Sequence, residues 1–399
     1  MVGALLRASV LLLITGAAAL AQQYDPGATD TEIRLGQTMP FSGPVSVAGS
    51  VGRASLAYFD TVNKSGGING RQIKLISLDD GYSPPKTVEA TRRLVEDDQV
   101  LALYASVGTP TNAAVEKYLN QKKVPQLFVT TGGSRFRDPK TYPWTIAYLP
   151  GYVAEGKAMA RYVMETVEQP KIAILYQNDD LGKDFRAGFR AGLGANADAL
   201  IVSEQTFEVA DPSVDSQVLA AKSSGANVFY FAGTQRAGAE QIKARHNLGW
   251  NPLPVVCSIS SSVEGVLRPA GLENAEGLIS TAYAKDPFDP TWEHDPDLAA
   301  FLAWAKQNLA QDNPRDTGVV GGYIASWLMA YVLEHAGSTL TRQHVMEIAT
   351  HLTDVRAPML LPGITVTTTP ADYTGIGRFQ IERFESGKWV LLGKLISAE

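Results

Sequence analysis

The sequence predicts an α/β protein made of two doubly wound parallel sheets in succession. Two observations carry this. Apolar runs of strand length alternate with helix-patterned stretches over residues 32–146, and the alternation restarts at Lys171 and continues to Ser258. Strands that alternate with helices pair in parallel through right-handed crossovers. In addition, strands empty straight into short Gly/Ser/Thr turns and then a helix, as in VLALYASVGTPTN (100–112) and KVPQLFVTTGGS (123–134). A chain of 399 residues has room for two domains or more.

Taken in order, residues 32–39 alternate as a first strand, and Phe41-Ser42-Gly43-Pro44 makes a turn. A helix over 49–64 follows, with Leu56, Phe59 and Val62 on one face, and 66–70 is dense turn chemistry. The second strand, 73–78, closes at Asp79-Asp80-Gly81, and Pro84-Pro85 opens a helix over 86–97. Strands at 100–105 and 124–130 flank a helix that has Pro110 in its first turn, and a further helix covers 151–165. The second set runs strand 171–176, helix 182–193, strand 200–206, helix 214–223, strand 227–232, helix 237–248 and strand 254–258. Helical patterns recur at 295–309, 320–335 and 342–350. Residues 358–363 break the pattern, 364–369 is β-rich, and 377–384 with 388–392 reads as a terminal hairpin around Glu385-Ser386-Gly387.

Composition narrows the function. Hydrophobic residues make up 45% and charged residues 19%, with a net charge of −6, so large cores are expected and a nucleic-acid surface is not. Arg7 followed by the apolar residues 8–20 and by Ala19-Leu20-Ala21 fits a signal peptide, residues 1–21, cleaved before Gln22. Later apolar stretches are too short to span a bilayer. Cys257 is the only cysteine, which excludes an intramolecular disulfide; flanked by Val255, Val256 and Ile259, it reads as a buried, inert thiol.

The two strand–turn–helix loops are the candidate binding wall. The turn Ser106, Val107, Gly108, Thr109 and the turn Gly132, Gly133, Ser134 place backbone N–H groups at a helix start, where the partial positive charge suits a carboxylate. Such crevices lie beyond the carboxyl ends of strands in open α/β sheets. Each loop alone equally suits a plain structural turn. The paired acids Asp79-Asp80 and Asp179-Asp180 read as caps and turn closers. The five histidines have no metal-ligand spacing, and neither a GxSxG elbow nor a P-loop is present. No metal, cofactor or catalytic residue is therefore expected. Arg236 reads as a surface arginine and 258–262 as a polar rim or turn.

The layout resembles the type I periplasmic solute-binding proteins, specifically the leucine/isoleucine/valine-binding receptors of ABC importers. The resemblance rests on SGP (42–44), NKSGGINGR (63–71), DDGYSPPK (79–86), ASVGTPTNAA (105–114), KVPQLFVTTGGS (123–134) and KIAILYQNDDLGKDF (171–185), which occur in family order. It implies two doubly wound, Rossmann-like lobes joined by three hinge segments. The expected lobes are 30–146 plus 283–355, and 147–282 plus 356–399, with crossings near 144–149, 280–283 and 353–358. It further implies a periplasmic monomer that closes on a ligand and delivers it to an inner-membrane permease. Tyr152, Leu181, Thr234, Ser260 and Tyr283 then join the site, and Tyr104 and Phe136 are further candidates for apolar walls. Two departures bear on the ligand. Leu181-Gly182 stands where amino-acid-binding relatives have Tyr-Gly, and the loop 258–262 lacks the acid that pairs with an α-ammonium group, with Glu264 the nearest acid. An unpaired buried ammonium is costly. The expected ligand is therefore an aromatic or aliphatic carboxylic acid; apolar amino acids, small amides and a ligand-sensing module of the same fold are the alternatives.

Overall fold

The structure, a computed structural model, describes residues 24–287, 289–309 and 312–397; the expected signal peptide lies outside them. The first set of elements is β1 (Glu32–Met39), α1 (Ser50–Lys64), β2 (Gln72–Asp79), α2 (Pro84–Arg92), β3 (Ala102–Tyr104), α3 (Thr109–Lys122), β4 (Gln126–Val129) and β5 (Thr145–Ala147). The second is α4 (Tyr152–Thr166), β6 (Ile172–Gln177), α5 (Asp180–Leu193), α6 (Ala197–Leu200), β7 (Ile201–Phe207), α7 (Asp215–Ser223), β8 (Val228–Ala232), α8 (Gln235–Asn247), β9 (Leu253–Val256), α9 (Arg268–Ala270) and β10 (Ile279–Ala282). The chain ends with α10 (Pro296–Asn308), α11 (Thr317–Ala336), α12 (Arg342–Ala349), β11 (Val366–Thr369), β12 (Asp372–Ile376), β13 (Arg378–Glu385) and β14 (Lys388–Ser397).

Both lobes repeat one topology. The first sheet runs β2-β1-β3-β4-β5 and the second runs β7-β6-β8-β9-β10, all parallel, before β13 and β14 extend it antiparallel. Inner strands such as β3, β6, β8 and β9 are largely apolar because helices cover both faces, while the edge strands β2 and β7 carry polar, partly exposed residues. On β8, Phe229 and Phe231 enter one core with Ile242 and Trp250, whereas Val228, Tyr230 and Ala232 enter another with Phe185 and Phe189. In the first lobe, Leu103 packs with Leu94, Val115 and Leu119 on one face. On the other face Leu35, Tyr104 and Leu127 meet Val320, Ile324 and Leu328 of α11. Helix α11 is buried along most of its length, and among the described residues no helix is long and apolar enough to cross a membrane.

The chain passes between lobes after β5, after β10 and after β12. The last differs from the expected crossing at 353–358. Residues Met359, Leu361, Ile364, Val366, Tyr373 and Ile376 belong to the first lobe's core, and the crossing falls at 376–378, so 356–376 sit with the first lobe. The reason is a hairpin that the sequence pattern hides. β12 (DYTGI) has little apolar alternation, yet it pairs with β11, and the Tyr373 hydroxyl donates to the Pro143 carbonyl at 3.0 Å.

Lys285 anchors the second crossing. Its side chain is fully buried, and Nζ donates to Asp295 Oδ1 at 2.7 Å, to Oδ2 at 2.8 Å and to Asp297 at 3.0 Å. Its backbone N–H bonds the Met359 carbonyl. Breaking a buried pair leaves uncompensated charge. Lys285→Ala is expected to lower stability by about 3 kcal/mol, read as a drop in the urea midpoint at constant slope.

Candidate functional site

Each lobe reverses its strand order at β1/β3 and at β6/β8, the switch points where ligands bind in such sheets. The structure turns these two ends toward each other across one cleft. The first lobe contributes Val47, Ser50, Tyr82, Val107, Gly108, Thr109 and Thr130, and the second contributes Leu181, Thr234, Ser258, Ser261 and Glu382. Tyr148, Tyr152 and Tyr283 come from the crossings. The walls are mainly apolar and aromatic with a few polar groups, as small-molecule sites are.

Of the residues singled out from sequence, the cleft gathers Val107, Gly108, Thr109, Tyr152, Leu181, Thr234 and Tyr283. Gly108 has φ +109°, and a Cβ there would sit 2.5 Å from Thr111 Oγ1 and from the Tyr82 ring, so the turn needs glycine. Helix α3 starts immediately after it and presents its positive end to the cleft at Thr109. The backbone is less free than expected: the Val107 N–H donates to the Thr38 carbonyl at 3.3 Å and the Gly108 N–H to the Thr130 carbonyl at 3.4 Å. The Thr109 hydroxyl pairs with that of Thr131 at 2.7 Å.

The other predicted residues serve the frame. Ser106 is buried and its hydroxyl accepts from the Thr38 N–H. Gly132 is pressed against Pro150, whose carbonyl would lie 2.1 Å from an added Cβ, and its own carbonyl accepts from the Tyr152 N–H. Gly133 donates to Thr131 Oγ1, and the Ser260 hydroxyl donates to the Gly233 carbonyl. The turn chemistry predicts that Ser134 donates to a ligand carboxylate. Its N–H and hydroxyl instead donate to Asp184 on α5, at 2.7 and 3.1 Å, across the gap between lobes. Arg135 continues that contact, reaching Glu116 of its own lobe and Asp180 of the other. Tyr104 and Phe136 are fully buried and line no part of the cleft. Asp179 caps α5, Asp79 and Asp80 close the turn after β2, and Arg236 bonds the carbonyls of Val209 and Asp211. Cys257 is buried, and burial pushes its thiol up to about 12.

Sequence reasoning passed over three acids. Glu155 on α4 is buried and accepts from the Ser258 N–H at 2.7 Å and its hydroxyl at 2.8 Å. Burial lifts its carboxyl to about 7 against these bonds. Asp316 caps α11 and accepts from Ser262. Glu382 on β13 is 4% exposed and faces the cleft. Its only sequence signal is an acid at an inward position of a strand that otherwise buries apolar residues. Glu264 turns outward to Arg268.

A two-lobed α/β fold with its cleft at the facing strand ends defines a solute-binding receptor of the type I periplasmic class. A family model described as periplasmic binding protein matches residues 32–388, and the chain belongs to that family. It is 26% identical over 331 residues to Leu/Ile/Val-binding protein homolog 3 of Brucella melitensis biotype 1, covering 82% of this chain and 86% of that one. Among solved structures it resembles a branched-chain amino acid ABC transporter protein from Thermus thermophilus with bound valine, at TM-score 0.82 and 16% identity, covering 92% and 97% of the two chains. It also resembles a fatty acid ABC transporter substrate-binding protein from Thermomonospora curvata, at TM-score 0.78 and 20% identity, covering 94% and 95%.

Two expected outcomes follow from the geometry. Glu155 has its carboxyl raised in the folded state, so its neutral form stabilises the fold and that contribution is lost as pH rises from about 4.5 to about 7. Glu155→Gln should flatten this part of the stability–pH curve by on the order of 3 kcal/mol, measured by urea unfolding at several pH values. Asp184→Ala removes the acceptor shared by both Ser134 donors. It should favour the open form, seen as a larger radius of gyration in X-ray scattering, and weaken ligand binding by about fivefold to tenfold.

Proposed function

We propose that this protein is the periplasmic receptor of an ABC importer. One small, largely apolar ligand bearing a carboxylate, an aromatic or aliphatic acid, is caught between the closing lobes and delivered to the permease by a monomeric receptor that performs no chemistry on it. The observation that carries this reading is the cleft itself, apolar and tyrosine-walled, with the positive end of α3 as its anchor for an anion. The loop at 258–262 supports an acid without an α-ammonium group. Its Ser258 donors are taken by Glu155, Glu264 points away, and Leu181 replaces a polar ring with an aliphatic wall. The fold neighbours include one described with bound valine and one described as a fatty-acid receptor, so this architecture suits both amino acids and plain acids. Binding shifts the population from open to closed because only the closed form touches the ligand from both sides.

The test is a thermal-shift screen of the purified protein against aromatic and aliphatic carboxylates, small amides, leucine and valine. A ligand at 100 times its dissociation constant stabilises the fold by about 2.7 kcal/mol. Apolar carboxylates are expected to raise the melting temperature while leucine and valine leave it unchanged. A shift with leucine or valine alone would move the assignment to an amino-acid receptor. No shift with any of them would count against the receptor reading.

A further inference from the structure

Glu382 sits in β13, opposite Ser280 of β10 and Leu391 of β14, in the part of the second sheet that forms the cleft wall near Thr281 and Tyr283. Its carboxylate has no hydrogen-bond or ion-pair partner among the described residues, although the side chain is nine-tenths buried. The charges that act on it are all of its own sign: Asp286, Glu155 and Asp289. Burial first, and then those three acids, push its carboxyl well above the ordinary carboxylate range. Lys285, which also lines the cleft, is held by Asp295 and Asp297, and Glu155 is satisfied by Ser258. A buried, unpartnered acid is costly and contributes nothing to the packing of this strand that an apolar residue would not.

We infer that Glu382 reads a second functional group of the ligand: the ligand carries, at the end remote from its carboxylate, an N–H or O–H donor, best a protonated amine, that docks on the Glu382 carboxylate. This rests on the receptor reading above. The two anchors come from different lobes, the α3 terminus from the first and Glu382 from the second, so a bifunctional ligand bridges the lobes and holds them closed. Glu382, Asp286, Glu155 and Asp289, with Lys285 held by Asp295 and Asp297, disfavour a second carboxylate at this end and favour positive charge. A methyl group at the same place would bury Glu382 without satisfying it.

The test uses two isosteric series with one changed group: 4-(aminomethyl)-, 4-(hydroxymethyl)- and 4-ethylbenzoate, and 6-aminohexanoate, 6-hydroxyhexanoate and heptanoate. Calorimetry on the native protein is expected to rank amine over hydroxyl over methyl, with the amine at least about tenfold tighter than the methyl compound. Glu382→Gln should erase that preference while changing the affinity for the methyl compound by less than about threefold. The ligand-free melting temperature of the variant shows whether it is folded; removing an unpaired buried acid should leave it equal or higher. Methyl compounds that bind as tightly as the amines, or a ranking that survives Glu382→Gln, would overturn the inference and leave the receptor for apolar acids standing. If no acid of either series or of the wider carboxylate panel binds, the receptor reading fails and this inference with it.

Discussion

The close approach of Gly132 to Pro150 governs how the two halves of this protein meet. An added Cβ would lie 2.1 Å from the Pro150 carbonyl, so the turn after β4 and the first crossing can come together only with glycine there. The Gly132 carbonyl then receives the Tyr152 N–H, which fixes the start of α4 and with it the Tyr152 ring, stacked on Phe185 at 4.2 Å between centroids. From that point the second sheet is oriented with its strand ends facing those of the first. The cleft is a consequence of two repeats of one topology placed mouth to mouth, and many of its polar groups are loop residues that this placement leaves at the mouth, joined by Thr281 and Glu382 from strands.

That arrangement explains why some of the site could be read from the sequence. Strand-ending turns are local features: Gly108 is needed for its φ and Thr109 begins a helix, so periodicity and turn chemistry locate both, whereas Thr234 enters through the family resemblance. Assignment between lobes is not local. Ser134 has the same signature as Thr109, a hydroxyl after a Gly-rich turn, yet it faces Asp184 of the other lobe. Nothing in the turn itself distinguishes a ligand-facing hydroxyl from a lobe-facing one. Tyr104 and Phe136 failed for the related reason that an aromatic ring near a site is equally suited to the core beneath it.

The third crossing shows the same limit at the level of domains. Alternation at 366–369 and again from 378 looks like one continuous β region. It is divided because β12 folds back onto β11 and packs beside β5, burying Tyr373 and Ile376 in the first lobe. A short strand of mixed polarity acquires its place from tertiary contacts. The consequence reaches the site, since β13 enters the second sheet only after that detour and arrives antiparallel to β10. Its buried Ile381 and Phe384 enter the cores of the second lobe, while Glu382 lies on the cleft wall.

The distribution of acids in the cleft separates two questions that the loop at 258–262 alone would merge. Absence of an acid from that loop says where an α-ammonium group has no partner. It does not make the cleft neutral, because the C-terminal hairpin brings a carboxylate from a distant part of the chain. Glu155 and Glu382 are both buried, but their circumstances differ. Glu155 is tied to a backbone N–H and a hydroxyl and behaves as part of the frame. Glu382 is surrounded by like charge and has no hydrogen-bond or ion-pair partner among the described residues. A fold that maintains such a group against its desolvation cost holds in reserve an interaction available only to what enters the cleft. On the proposed reading, the polarity of the ligand is set by the antiparallel extension of the second sheet as much as by the strand-end loops that define the class.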